Sequence, residues 1–298
     1  MIINGTEIVD TFAEAFKMRA TRLLITAAND TWANHAAASL TGFATSVIGC
    51  GCEAGIERRL TPEESPDGRP GLSVLLFAVS SKELAKQVER RVGQCVLTAP
   101  TSAIYAGMEG DEEINLVRNI RFFGDGHQIA KVMGGRRYWR VPVMDGEFLG
   151  EESAGITRAV GGGNFLVLAE TQATALDACE AAIEAMRRLP NVIMPFPGGV
   201  VRSGSKVGSR YKALMASTND AYCPTLRGQV DTALPEAVGA VLEIVVNGLT
   251  EHDVAAAMRA GITAVCERGR PGGIHAVTAG NYGGKLGQYR LELREVMA

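Results

Sequence analysis

Short runs of Val, Ile and Leu alternate along this chain with longer stretches whose apolar residues recur every three or four positions. A period of two marks a strand with one face buried, and a period near 3.6 marks a helix packed on one side. Four strand–helix–strand units follow. The first takes residues 22–28, 31–40 and 43–48, and the second takes 72–79, 82–92 and 95–99. The third takes 165–170, 173–188 and 192–194, and the fourth 241–247, 251–267 and 274–278. Leu176, Cys179, Ile183 and Met186 trace the apolar stripe of the third helix. Thr250 followed by Asp253 gives the fourth helix a capped start, and Asn29 and Ser81 can cap two others.

Two units in succession give the order βαβ–βαβ, which is the split-βαβ, ferredoxin-like arrangement. The expected fold is therefore α/β (α+β), with two ferredoxin-like lobes, each an antiparallel sheet with helices on one face. The boundary is expected at 147/148, giving lobes 1–147 and 148–298. Residues 115–150 read as a β-hairpin insertion, with strands at 117–123 and 136–143 and turns at Gly124-Asp125-Gly126 and Gly134-Gly135. Irregular insertions occupy 61–71 and 202–236. The second is rich in Tyr, Cys, Asn and Lys and is expected beside the functional site, since long irregular segments in compact domains are usually functional or disordered. Residues 10–16 combine acids with aromatics, and a capped amphipathic helix is one reading of them.

Composition narrows the classes. At 298 residues the chain can hold two cores, and 46% hydrophobic with 21% charged residues argues against disorder. A net charge of -3 offers no basic field for nucleic acid. No apolar run approaches the ~20 residues of a membrane span. Glu7, Asp10 and Glu14 stand where a signal peptide would have a basic start, so a cytoplasmic protein is expected. Of six cysteines only Cys50 and Cys52 are close in sequence, and the four histidines are far apart, so no metal is expected.

The third and fourth units end in similar loops. One holds Gly198, Gly199, Ser203, Ser205 and Lys206; the other holds Asn281, Gly283, Gly284 and Lys285. Paired glycines let a backbone approach a ligand and build an anion-binding nest, to which lysine adds charge. Tight turns with solvated lysines are the competing reading. Gly199 and Gly204 have the spacing of a phosphate-binding loop, but Ser205-Lys206 reverses the required Lys-Ser order. Neither a dinucleotide glycine fingerprint nor a Gly-x-Ser-x-Gly elbow occurs. Glu243 interrupts an apolar strand. Alternation puts Leu242, Ile244 and Val246 under the helices and Val241, Glu243, Val245 and Asn247 on the other face. Burial there would raise the carboxyl pKa and suit it to proton transfer near neutrality. A salt bridge to the other lobe or to another subunit is the alternative. Asn164, after three glycines, is either a turn residue or an amide for a pterin edge or a carbonyl oxygen, and the cluster Asn219-Asp220-Ala221-Tyr222 offers similar polar groups.

At these loops the sequence resembles the formylmethanofuran–tetrahydromethanopterin N-formyltransferases. The likeness is carried by Pro66-Asp67-Gly68-Arg69-Pro70-Gly71, Gly162-Gly163-Asn164-Phe165, Ala216-Ser217-Thr218-Asn219 and the segments 195–199, 203–209, 243–249 and 279–287, in order along the chain. Gly51-Cys52, Arg202 and the excess of arginine over lysine make it more similar to the methylotrophic bacterial branch. The resemblance implies reversible formyl transfer between methanofuran-type and tetrahydromethanopterin-type carriers (at N5 of the pterin), which are substrates, with no metal and no tightly bound cofactor. It also implies a homo-oligomer, dimer or tetramer, and hydrolase-complex subunits as partners. The family's strand glutamate falls on Glu243, with Asn247 as the second catalytic candidate. The carrier-binding candidates are Asn164, Phe165, Gly198, Gly199, Ser203, Ser205, Lys206, Asn219, Tyr222, Asn281 and Lys285. The glycine N–H groups and Asn247 are expected to hold an oxyanion, and Lys206 and Lys285 the carrier anions. A non-catalytic carrier-binding scaffold and a phosphotransferase are the alternatives.

Overall fold

The computed structural model describes all 298 residues, Met1–Ala298. Two compact units emerge: Met18–Ala159, and Met1–Lys17 together with Val160–Ala298. The expected boundary at 147/148 cuts the chain once, whereas these units interleave. The strand Phe12–Thr26 begins in one and ends in the other.

In the lobe Val160–Ala298, completed by Met1–Lys17, the sheet order is Ile274–Thr278, Ser153–Ala169, Ala240–Gly248, Val192–Ile193, all antiparallel. This is the order 4-1-3-2 of a split-βαβ unit. Thr6–Ile8 extends it in parallel beside Ile274–Thr278. Helices Gln172–Met186 and Glu251–Arg268 cover one face, over a core that includes Phe165, Ile183, Ile244, Val246, Met258 and Ile262. Both start in capping boxes, Thr171 with Thr174 and Thr250 with Asp253, which satisfy N–H groups the first turn leaves unpaired.

The lobe Met18–Ala159 repeats the topology with Ala103–Ala106, Phe12–Thr26, Gly71–Ala78 and Glu53–Leu60, again all antiparallel. Its helices are Asp30–Thr41, capped by Asn29, and Ser81–Arg91, capped by Ser80 rather than Ser81. The fold class expected from the pattern is therefore the one observed. No helix is long and apolar enough to cross a membrane.

Four segments differ from expectation. Residues 43–48 are no strand: Phe43 has φ 48° and Ser46 caps a helical turn, Val47–Cys50. The strand there is Glu53–Leu60, a polar edge strand whose charges hide it from a hydrophobic pattern. Residues 95–99 continue the preceding helix as a wider turn, Val92–Val96, because Leu84, Val88, Val92 and Val96 extend one buried stripe at four-residue spacing. Residues 117–123 give way to a 3-10 turn, Ile120–Gly124. The hairpin strand is Ile129–Met133, joined to Arg136–Val143 through Gly134-Gly135, both at positive φ. Residues 10–16 lead into a strand and form no helix.

Gly261, on the helix Glu251–Arg268, faces Met186 of the helix Gln172–Met186 and the ring of Phe165. A Cβ there would stand 2.7 Å from Met186 Sδ and 2.8 Å from Phe165 Cζ. Alanine favours a helix by about 1 kcal/mol over glycine, but overfilling a packed core costs about 1–3 kcal/mol. Gly261→Ala is therefore expected to lose about 1 kcal/mol of stability in urea denaturation. A stabilised variant would show that the contact yields.

Candidate active site

Period-two alternation on Ala240–Gly248 decides the placement of Glu243. Ile244 and Val246 enter the helix-covered core, while Val241 and Glu243 face the opposite side. Glu243 is flanked by Leu166 on one side and Val201 on the other. It sits at the base of a cleft of about 360 Å³. The carboxyl is packed round by protein yet keeps part of its surface in the cleft, and burial pushes its pKa up to about 7. Burial is the sole cause, with no cation or hydrogen-bond donor opposing it. The salt-bridge alternative finds no partner within this chain.

Asn164 stands beside it, almost fully buried. Its Oδ1 accepts from Gly280 N at 2.6 Å, and its Nδ2 donates to Gly162 O and Gly280 O, both at 3.1 Å. The amide therefore clamps the Gly280 peptide. A Cβ on Gly280 would come within 3.1 Å of Asn164 Oδ1 and 3.6 Å of Glu243 Oε1, so glycine is what lets this backbone lie against the carboxyl.

The loop that follows reverses the expected anion nest. Five of its N–H groups, those of Tyr282, Gly283, Gly284, Leu286 and Gly287, are already taken. Glu14, buried and 1% exposed, accepts from Tyr282 and Gly284 N on Oε2 and from Leu286 and Gly287 N on Oε1. Burial works to raise the Glu14 pKa, but the four backbone donors prevail and hold it below the usual carboxylate range. Gly283 N is taken by Asn281 Oδ1 at 3.2 Å and Gly199 N by Phe196 O at 2.7 Å, so neither offers an oxyanion donor. Lys206 is engaged as well, with Nζ 2.6 Å from Asp220 Oδ2.

Of the sequence candidates, the cleft brings together Glu243, Asn164, Ser203, Ser205, Lys206, Asn219, Tyr222 and Asn281. The others lie outside its lining. Phe165 is fully buried among the helices, opposite in alternation to Asn164 and Leu166. Asn247 is buried and accepts from Gly162 N at 2.9 Å, holding the bulge before Asn164. Gly198 and Gly199 turn the chain at φ 65° and 90°, and a Cβ on Gly199 would meet Ile183 at 2.4 Å. Lys285 is exposed on the outer loop. Tyr282, which the sequence reading did not single out, lines the cleft with its phenol. Burial raises its pKa first and the charge of Glu243 second, while a hydrogen bond with Ser205 opposes them. Its position two residues beyond Gly280 was the available signal.

A near-neutral carboxyl without a partner, faced by a phenol, hydroxyls and amides on an antiparallel sheet, marks a two-lobed α/β protein equipped for acid–base chemistry on a polar ligand. Comparison with known proteins says which. The chain belongs to the formylmethanofuran-tetrahydromethanopterin formyltransferase family, whose model matches residues 1–143, with the companion model for its proximal lobe matching 146–296. It is 66% identical over 298 residues to the formylmethanofuran–tetrahydromethanopterin formyltransferase of Methylococcus capsulatus, covering 100% of both chains. In structure it is similar to a chain of the formyltransferase/hydrolase complex of Methylorubrum extorquens, solved with methylofuran. There the TM-score is 0.98 and the identity 52%, over 100% of this chain and 99% of that one. The formylmethanofuran:tetrahydromethanopterin formyltransferase of Methanosarcina barkeri gives TM-score 0.93 and 47% identity, over 99% and 100%.

An uncompensated carboxyl carries a stability cost with a defined sign. The folded pKa of Glu243 is raised, so the folded state holds the proton more tightly, and stability falls as pH climbs from about 4.5 through about 7. Glu243→Gln, neutral throughout, is expected to match the parent near pH 4 and to exceed it above pH 7 by on the order of 3 kcal/mol at most. Thermal melts across that range check this, and parallel curves at all pH would contradict it.

Proposed function

We propose that this protein transfers a formyl group between formylmethanofuran, or a methanofuran analogue, and N5 of tetrahydromethanopterin or its dephospho analogue, with Glu243 as the proton carrier. The observation that carries the reading is the raised pKa of Glu243, about 7, on the floor of the cleft. Membership of the family and the 66% identical Methylococcus capsulatus enzyme support the substrates.

The chemistry balances without an outside reactant. The pterin nitrogen attacks the formyl carbonyl and forms a C–N bond, and its proton passes to the ionised carboxylate. The tetrahedral centre then collapses by breaking the bond to the furan amine, which leaves with the proton that Glu243 returns. A base working near neutrality needs a pKa near 7, and an ordinary glutamate would be too weak a base to accept the proton. With the N–H groups of Tyr282, Gly283 and Gly284 spent and Gly198 and Gly199 outside the cleft lining, the developing oxyanion falls to the cleft's side chains. The Tyr282 phenol, near Glu243 and hydrogen-bonded with Ser205, is the best placed. One such donor contributes about 2.7–4 kcal/mol to the transition state, and alignment of the two carriers contributes roughly 7–11 kcal/mol. Asn164 in the cleft wall and Asn247 outside it hold the surrounding backbone in place, and Lys285 remains free for a carrier's outer anion.

The setting is the cytoplasm. The protein works as a homo-oligomer, dimer or tetramer, or with hydrolase subunits; the similar Methylorubrum extorquens chain, which belongs to such a complex, supports the latter.

Mixing the purified protein with both carriers and following the pterin absorbance tests the assignment. Glu243→Gln is expected to bind both carriers and to lower turnover by about 10²–10⁴. The parent's pH–rate profile should show a break near 7 that the variant lacks. Binding of both carriers by the parent without transfer would instead make the chain a scaffold, and near-normal turnover of the variant would remove Glu243 from the chemistry.

A further inference from the structure

The Tyr282–Gly287 stretch is held from behind by one face of one strand. Phe12, Glu14 and Phe16 alternate with Ala13 and Ala15, which are both fully buried in the core. The three larger side chains therefore share the opposite face, and each meets the loop. Phe16 packs against the ring of Tyr282 with centroids 6.1 Å apart. Phe12 lies so close beneath Gly284 that a Cβ there would stand 3.3 Å from its ring. Glu14, between them, accepts the four backbone N–H groups, two on each oxygen, and no salt bridge shares its charge. The front of the same loop builds the cleft, where Gly280 is clamped by Asn164 against Glu243 and Tyr282 presents its phenol.

We propose that Glu14 is a positioning residue for formyl transfer: its carboxylate is the internal anion of the 282–287 nest, and the charge it brings there sets Tyr282 and Gly280 over Glu243. The proposal rests on the reading of Glu243 and Tyr282 as the reacting site. Backbone N–H groups converging on one point repel one another unless an anion occupies it, and a carboxylate with two acceptor oxygens serves four donors without distortion. A glutamine has the same shape but turns an NH₂ group toward two of the donors, and it carries no charge. The loop then loses two of its four ties and the attraction behind the other two. Displacements of about 1 Å at a reacting group cost roughly 10²-fold in rate. A loosened Gly280 also admits water to Glu243 and removes the burial that raises its pKa.

Glu14→Gln, Glu14→Asp and Glu243→Gln separate the possibilities when compared in the full-length protein. Glu14→Gln is expected to lower kcat/KM for formyl transfer by about 10²-fold. It should speed hydrogen exchange at the amides of Tyr282, Gly284, Leu286 and Gly287 and move the Glu243 break in the pH–rate profile downward. Glu14→Asp keeps the charge on a shorter arm and should recover about a tenth or more of the parent rate. Glu243→Gln should lower transfer by about 10²–10⁴ while leaving those four amides as protected as in the parent, so failure of the active-site reading and failure of this proposal give different patterns. Should Glu14→Gln not fold, the parent alone decides. The four amides must lose protection together on acidification, before the core amides do. Unchanged exchange and an unmoved pH break in Glu14→Gln, or parent amides indifferent to acid, overturn the proposal.

Discussion

An acidic side chain in the middle of a strand has two faces to choose from, and the choice is made by its neighbours. Ile244 and Val246 must go beneath the helices, so Glu243 must go to the other side. Burial without a compensating cation then keeps its proton to about pH 7. Much of the surrounding structure preserves that imbalance. The one lysine nearby is paired with Asp220, Asn164 spends its amide on Gly280, and the neighbouring nest is filled by Glu14. Potential partners for Glu243 are occupied by groups that leave it alone. A carboxyl kept in this condition costs the fold energy and gains basicity, the exchange expected where stability is given up for activity.

The two lobes share strand order and helix placement, yet they treat buried carboxylates differently. In the Met18–Ala159 lobe, Glu57 lies next to the strand Gly71–Ala78 with its side chain 3% exposed. Arg22 grips it through two hydrogen bonds of 2.7 and 2.6 Å, and Ser73 adds a third. Neutralised in this way, Glu57 is a structural ion pair. Glu243 has no such grip. Shared topology explains why a carboxylate can stand on the face of each sheet away from the helices, and only local pairing distinguishes packing from chemistry.

Local patterns made most of this fold legible. Apolar periodicity placed the helices, Thr250 announced its capping box, and an acid in an apolar run pointed to Glu243. The same alternation rule would have assigned Phe165 to the core, since it lies next to Asn164 on the strand that pairs with the glutamate's own. Other features were silent for physical reasons. Glu53–Leu60 is polar because an edge strand meets water, and Val92–Val96 resembles a strand in composition while its four-residue spacing keeps it helical. The glycine loop showed a nest but not its occupant. Glu14 is 270 residues from Gly284, and no local signal reports a contact of that range.

That separation has a consequence for biosynthesis. The strand bearing Phe12, Glu14 and Phe16 leaves the ribosome some 270 residues ahead of the loop it grips. Until that loop has been made, the carboxylate has only water to solvate it and the loop side of the two rings is uncovered. The cleft wall built by Gly280 and Tyr282 therefore cannot be set while the strand stands alone, and this part of the lobe closes late.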